Sequence, residues 1–318
     1  MRNRPLLAAL LFAAVAAVPA GCASARATPP PERAVAGRGL SEAVAAAGRR
    51  CACRIGVAAR HVESGRSFEH LAEEIFEAAS VIKIAILTEA LAAAAEGRVD
   101  LSERWTMGPE SRADGSGLLL LLDPGLNPTW NDLLTLMIGP SDNTATNAWI
   151  ERLGADAVNA RMAALGFSRI RLLDRIPSLT TRGADPSPWT NLRLGEVTAR
   201  DVATWMERVA RGDLIDPDSS AKMLAYLDKD PSRLRIARRF PSEALWAGKT
   251  GSMRGVRNDA GVLRTRKGRF VLVVLTDRST ATSTSAADHP SVLAIADVAD
   301  ALIRDWSRDL PDLPEPPR

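Results

Sequence analysis

Ser80 stands three residues ahead of Lys83 in the stretch Ala79-Ser80-Val81-Ile82-Lys83-Ile84-Ala85-Ile86-Leu87. At that spacing two side chains share one face of a helix. From Val81 to Leu87 every residue except Lys83 is apolar. A helix that is apolar on nearly every face is a buried helix. A buried ammonium is costly unless it is paired or driven to its neutral form. A hydroxyl beside a neutral amine is a nucleophile beside its base. The pattern alone is weak, because Ser219-Ser220-Ala221-Lys222 repeats it in a stretch that reads as an exposed helix face.

Two more triplets follow in order: Ser141-Asp142-Asn143, then Lys249-Thr250-Gly251. With Ser80-x-x-Lys83, the three motifs fall in a helix start, a helix–helix loop and a strand. In that order the set resembles the motif set of class A β-lactamases and penicillin-binding proteins. The resemblance runs from about Leu40 to Trp306. It includes Ser141-Asp142-Asn143-Thr144-Ala145-Thr146-Asn147 and a hairpin from Lys249-Thr250-Gly251-Ser252 to Arg257-Asn258-Asp259.

The resemblance implies a role for each residue. Ser80 attacks an acyl carbon while neutral Lys83 takes its proton. The N–H groups of Ser80 and Ser252 form the oxyanion hole. The Ser141 hydroxyl relays a proton to the departing nitrogen. Asn143 holds the substrate amide and Lys83. Lys249, Thr250 and Arg257, with Gly251 in the same strand, bind a substrate carboxylate, which needs fixed cationic donors. Bland alternatives stand beside two of these: Arg257 as a strand-surface charge and Asn143 as a helix N-cap.

One segment departs from the family pattern. Class A enzymes carry Glu-Pro-x-Leu-Asn on a loop, and its Glu activates the water that clears the acyl-enzyme. The matching stretch here is Leu173-Asp174-Arg175-Ile176-Pro177-Ser178-Leu179-Thr180, with Ile176 in place of Glu and Thr180 in place of Asn. Isoleucine has no lone pair and cannot act as a base. Asp174 and Asp185 could substitute only if the loop ran differently, and Glu196 reads as a first-turn charge of the next helix.

The expectation is therefore a serine hydrolase acting on β-lactams, on D-Ala-D-Ala-type cell-wall peptides, or on both. It forms an acyl-enzyme readily and releases β-lactams slowly. The alternative is a non-catalytic or weakly catalytic β-lactam- or cell-wall-binding lipoprotein. A Ser-His-Asp hydrolase is poorly supported, since G-x-S-x-G is absent and His61, His70 and His289 read as structural or surface residues.

Composition narrows the partners. The chain has 318 residues, 46% hydrophobic and 25% charged, in the range of a soluble globular protein. Net charge is +3, and removing Arg2 and Arg4 with the leader brings it closer to neutral, which excludes a polyanion binder on charge grounds. One tyrosine and 4% aromatics leave no stacking platform for bases. Cys51 and Cys53, one residue apart, suggest free thiols or an unusual local bridge. Without nearby histidines they make no zinc site, so neither metal nor cofactor is expected.

The first 22 residues read as a secretory leader: basic Arg2 and Arg4, the apolar run Leu6–Val18, and small residues up to Cys22. Ala20-Gly21-Cys22 resembles a bacterial lipobox in which Cys22 is lipidated, although Pro19 is atypical there; ordinary secretion is the alternative. An exported, periplasmic or cell-surface monomer is expected, touching the membrane only through its lipid anchor. Residues 23–39, rich in Pro, Ala and Arg, read as a tether.

Helix and strand signals alternate unevenly over residues 40–308. Strands are expected at Arg54–Val62, Ser67–Leu71, Leu245–Thr250, Val256–Arg264 and Phe270–Thr276. Helices are expected at Leu40–Arg49, at Ser80 to about Glu96, at Thr129–Ile138, Ala145–Leu153 and Asp156–Leu165, from Thr198 to about Ala210, and at Asp218–Leu227 and Pro290–Ser307. Strands at both ends with helices between them imply a two-lobed α/β (α+β) fold. An antiparallel sheet flanked by the terminal helices comes from about 40–79 and 192–308, with an all-α lobe inserted from about 80–191. Residues 309–318 form a Pro-rich tail.

Overall fold

A computed structural model describes residues 38–178, 192–242, 244–281 and 286–314. Cys22, the leader, most of the tether, Thr180 and Asp185 lie outside the described residues. Among the described residues no helix is long and apolar enough to cross a membrane.

The chain opens with helix α1 (Arg38–Cys51), strands β1 (Arg54–His61) and β2 (Ser67–His70), and the short strand β3 (Phe76–Glu77). A single 3₁₀ turn, Ala79–Ile82, leads into α2 (Lys83–Ala95). Then come α3 (Trp130–Ile138), α4 (Asn143–Leu153), α5 (Ala155–Ala164), β4 (Arg171–Leu172) and β5 (Gly195–Val197). Helices α6 (Ala199–Arg211) and α7 (Pro217–Leu227) precede the long strands β6 (Leu245–Met253), β7 (Val256–Thr265) and β8 (Gly268–Asp277), and α8 (Pro290–Ser307) closes the fold.

The main sheet is antiparallel in the order β2-β1-β8-β7-β6, so strands from the two ends of the chain meet at its centre. Val57 pairs with Val274 and Ala59 with Leu272. Strand β8 is apolar from Phe270 to Leu275 because both of its faces are covered there. Phe270, Leu272 and Val274 pack with Val44 of α1 and Ile295, Leu302 and Trp306 of α8. Val271, Val273 and Leu275 join the larger core built around α2 and α6. This is the expected fold: an antiparallel sheet clad by terminal helices, with helical segments inserted between its halves.

Helix α2 runs through the middle of that larger core, buried from Lys83 to Ala93. Its two charges have different outlets. Glu89 is paired with Arg98 and Arg161, each at 2.7 Å. Lys83 is turned toward Ser141 and Asn143.

Two details depart from the sequence reading, and a third decides between two alternatives it left open. The nucleophile segment is a 3₁₀ turn, and the α-helix begins only at Lys83. A small second sheet, β3-β5-β4, is built from strands of two or three residues, too short to show alternation. Cys51 and Cys53 are joined as a disulfide, so of the two readings offered the local bridge is the one found. Helix α1 ends there, and Ala52 at φ 46° turns the chain back, leaving the two Cα atoms 5.2 Å apart.

Candidate active site

Lys83 is fully buried, and its ammonium nitrogen has three oxygen neighbours. Nζ lies 2.7 Å from the Ser141 carbonyl, 3.1 Å from Ser141 Oγ and 3.0 Å from Asn143 Oδ1. Burial drives the Lys83 pKa well below its usual 10.5, the positive charge of Lys249 pushes it the same way, and Asp142 opposes them. A neutral amine keeps two N–H donors for the two carbonyl-type oxygens. Its lone pair is then free to accept from a hydroxyl. No hydrogen bond joins Ser80 Oγ to Lys83 Nζ here; the direct hydroxyl neighbour is Ser141.

The loop before α4 is arranged by Asp142. One carboxylate oxygen caps α4 by accepting from Ala145 N at 2.9 Å. The other accepts from Leu118 N and Leu119 N at 2.7 and 2.8 Å. Gly117 makes room for that grip, since a Cβ there would sit 2.4 Å from the same oxygen. Asp142, not Asn143, is therefore the N-cap. Asn143 is the first helical residue, with Nδ2 donating to the Asp114 carbonyl at 2.7 Å. Ser141 takes a left-handed conformation, φ 59°, which brings both its carbonyl and its hydroxyl to Lys83.

Strand β6 closes the other side. A Cβ on Gly251 would lie 2.8 Å from the Ala78 carbonyl and 3.3 Å from Ser80 N, so only glycine lets the strand pass this close to the nucleophile segment. Asn258, buried on β7, reinforces the approach. Its Nδ2 donates to the carbonyls of Glu77 and Ala78 at 2.8 and 3.0 Å, and its Oδ1 accepts from Thr276 N. Lys249 is fully buried, donating to the Thr250 carbonyl at 3.2 Å with Asp230 Oδ2 at 3.7 Å. Burial lowers its pKa, and Asp230 partly restores it.

Arg235 and Asp230 belong to this neighbourhood, and the sequence reading missed both. Arg235, in the connection between α7 and β6, donates to the Gly251 carbonyl at 2.8 Å, to the Asn258 carbonyl, and to Ser252 Oγ at 2.5 Å. Asp230 accepts from both the N–H and the hydroxyl of Thr250 at 3.2 Å. The run Arg233–Arg239 reads locally as a solvated basic stretch, so only tertiary contact identifies Arg235. Arg257, expected to bind a carboxylate, is half-buried and donates to the Met253 and Val256 carbonyls at 2.7 Å. It does not line the cavity.

Between these walls is a cavity of about 300 Å³. Ser80, Ser116, Ser141, Asn143, Thr250 and Ser252 give it polar lining; Ile176, Leu192, Leu194 and Met253 give it an apolar wall. Ile176 is 2% exposed. Its main chain is held at both ends by Asn147, whose Oδ1 accepts from Ile176 N at 3.0 Å and whose Nδ2 donates to Ile176 O at 2.8 Å. Asp174 is exposed, and Glu196, on β5, is bound to Arg193; neither Asp174 nor Glu196 lines the cavity. The histidines lie elsewhere: His61 is held between Ser64 and the Lys267 carbonyl, His70 is on β2, and His289 caps α8. Among the described residues no cluster of His, Cys, Asp and Glu could hold a metal ion.

Known proteins are similar to this chain over most of its length. The β-lactamase of Streptomyces lavendulae is 29% identical over 306 residues, 92% of this chain and 94% of its own. That of Streptomyces albus G is 31% identical over 240 residues, 73% of this chain and 74% of its own. The crystal structure of a β-lactamase from Sphaerobacter thermophilus matches with TM-score 0.74 at 33% identity, covering 86% of this chain and 98% of that one. PBP-A matches with TM-score 0.75 at 27% identity, over 88% and 100%; it is also known as a leucine-to-glutamate variant in acyl-enzyme complex with penicillin G. The profile of the beta-lactamase enzyme family covers residues 39–306. The chain thus belongs to the beta-lactamase enzyme family and is a hydrolase of the class A type.

Proposed function

We propose that this protein takes an acyl group onto Ser80 from β-lactams and from acyclic cell-wall-type peptides or esters, and that it releases β-lactam acyl groups slowly. The observation that carries the second half is Ile176. It is part of the cavity wall, and the sequence resemblance sets it at the position where class A enzymes carry their water-activating Glu.

Acylation needs only groups that are present. Neutral Lys83 takes the Ser80 proton, directly or through Ser141, as Ser80 Oγ bonds to the acyl carbon. The oxyanion forms against the N–H groups of Ser80 and Ser252. As the C–N bond breaks, the Ser141 hydroxyl gives its proton to nitrogen and regains one from the Lys83 ammonium, 3.1 Å away. Arg235, Thr250 and buried Lys249 supply positive charge and hydrogen bonds for a substrate carboxylate. Neither Arg235 nor Arg257 lines the cavity, but Arg235 donates to the hydroxyl of Ser252, which does, whereas Arg257 is spent on main-chain carbonyls at the hairpin end.

Deacylation needs an activated water. An opened β-lactam keeps its leaving nitrogen tethered in the cavity, on the side from which Lys83 or Ser141 would deliver water. A peptide or ester leaving group departs and frees that side. The solved acyl-enzyme of the similar PBP-A variant supports penicillin as a probe of this chemistry. Intact-mass measurement after mixing with penicillin G tests the reading. A long-lived adduct on Ser80 is expected. Rapid, repeated turnover would overturn slow release, and no adduct at all would favour the binding-only lipoprotein.

Export and lipidation at Cys22 are part of the same proposal. The Cys51–Cys53 bridge supports them, because structural disulfides persist mainly in oxidising compartments. The protein would act as a monomer at the cell surface or in the periplasm, held by its lipid. Palmitate labelling of the wild type and a Cys22→Ser variant distinguishes a lipoprotein from a freely secreted form.

A further inference from the structure

Ser80 is preceded by a backbone kink that its own side chains do not explain. Ala79 is held at φ 46°, a left-handed conformation that alanine avoids. Such a residue persists only where its surroundings impose the conformation. Three groups surround this one. Asn258 fixes the carbonyls of Glu77 and Ala78. Ala78 N donates to the Gly195 carbonyl at 2.8 Å. The Glu77 carboxylate turns back on its own chain, its Oε1 accepting from Ala79 N at 3.2 Å and from Gly195 N at 3.2 Å.

One carboxylate oxygen thus joins the kink before the nucleophile to strand β5. Gly195 is where the second segment comes closest, since a Cβ there would lie 2.6 Å from the Ile82 side chain. The residues just before it, Leu192 and Leu194, belong to the cavity wall. The other oxygen, Glu77 Oε2, is buried without a hydrogen-bond partner. Its nearest cation is Arg193 Nε at 3.7 Å, and Arg193 is shared with Glu196, which pairs with Glu77 across β3 and β5. On the far side of β3, Arg54 is committed to Asp277. A half-buried carboxylate that keeps one oxygen covered and unsatisfied is more than packing requires.

We propose that Glu77 is a positioning residue: its carboxylate clamps the Ala79 and Gly195 N–H groups together, and so sets the Ser80 hydroxyl and the Ser80 N–H against the acyl carbon. Glu77 does not touch substrate, and it acts through the backbone of Ala79. The proposal rests on the reading of Ser80 as the acylated residue. A charged acceptor makes the stronger bonds, so the clamp loosens when Glu77 is protonated. Burial raises the Glu77 pKa, while the N–H groups of Gly195 and Ala79 and the charge of Arg193 hold it down.

The test compares the wild type with Glu77→Gln and Glu77→Ala, following acylation by nitrocefin in single turnover from acid to neutral pH. Glu77→Ala should acylate roughly 10–100-fold more slowly at neutral pH, the scale of a misplaced reacting group. Glu77→Gln keeps an oxygen for both N–H groups but not the charge, and should lose roughly three- to tenfold. The decisive quantity is the ratio of Glu77→Gln to wild-type rates, in which the titration of Lys83 cancels. That ratio should rise toward one as the pH falls through the Glu77 titration. A ratio independent of pH, or a folded Glu77→Ala protein acylating at the wild-type rate, would overturn the proposal.

A second measurement needs no acylation. In a deuterated sample the amide proton shifts of Ala79 and Gly195 should titrate together in the wild type and stay fixed in Glu77→Gln. Amides that do not move would overturn the clamp whatever the rates show. A wild type that nitrocefin does not acylate would instead refute the reading of Ser80, and the amide titration would still decide the role of Glu77.

Discussion

Replacing Ile176 by glutamate is the most direct perturbation of this site. Asn147 holds the Ile176 backbone at both N–H and C=O, so the substituted side chain must enter the cavity from the same Cα. The loss of a buried isoleucine costs about 1.5–3 kcal/mol in transfer free energy. For a domain of this size that lowers the melting temperature by about 3–12 °C, at about 2–4 °C per kcal/mol. The gain appears only in the second half-reaction. A positioned general base contributes about 10²–10⁴-fold, equivalent to about 3–5.5 kcal/mol of barrier. The assay is a stopped-flow nitrocefin burst followed by the steady state, with intact mass reporting adduct lifetime. The burst rate of Ile176→Glu should stay near that of the wild type, while its steady-state rate rises at least tenfold and its adduct lifetime falls in step. A folded Ile176→Glu protein with wild-type burst and unchanged lifetime would refute the argument that the missing carboxylate limits release.

Three further outcomes are expected. Lys83→Met should lower the acylation rate by about 10²–10⁴-fold and should also raise the melting temperature near neutral pH. The folded-state pKa of Lys83 lies well below its usual 10.5, so folding carries a cost that is absent above 10.5, grows as pH falls below it and is complete once pH is under the depressed value; the wild-type acylation rate should rise with pH through the same depressed value. Asp259, buried beside Arg235 with one oxygen unpartnered, has its carboxyl pushed up to about 7, chiefly by burial. A raised carboxyl adds stability that is complete below 3.8 and lost as pH rises through about 7, so Asp259→Asn should match the wild type at acid pH and gain on it in urea melts above neutrality. Arg235→Ala should weaken acylation by carboxylate-bearing substrates roughly 10–100-fold, the worth of a charged hydrogen bond, and Arg257→Ala much less; the reverse order in second-order acylation rates would return the carboxylate role to Arg257.

The parts of the molecule legible in sequence are those whose signal is local. The apolar run around Lys83 states that the helix is buried, and burial states that the amine must be paired or neutral. The short, β-branched and unbroken apolar run Phe270–Leu275, joined to Val256–Arg264 by a turn, states that these are strands. The second tier of the site is different. Asn258, Asp230, Arg235 and Glu77 act on segments far away along the chain, and each looks ordinary among its neighbours. Arg235 sits in a basic stretch that any solvated loop could carry. Glu77 and Glu196 face each other only because two-residue and three-residue strands meet, too short for any periodicity to announce them. The Cys51–Cys53 bridge depended on a left-handed residue between them, which alanine does not advertise.

Strand β1 begins at Arg54, and its central partner β8 ends at Asp277, with Arg54 paired to Asp277. A nascent polypeptide therefore carries an unmatched hydrogen-bonding edge until nearly all of it has been synthesised. Such an edge invites pairing with another copy, and closure across so long a span is slow. Any product that terminates before residue 268 lacks β8 altogether, and should go to inclusion bodies or to proteases rather than persist as a partly working hydrolase.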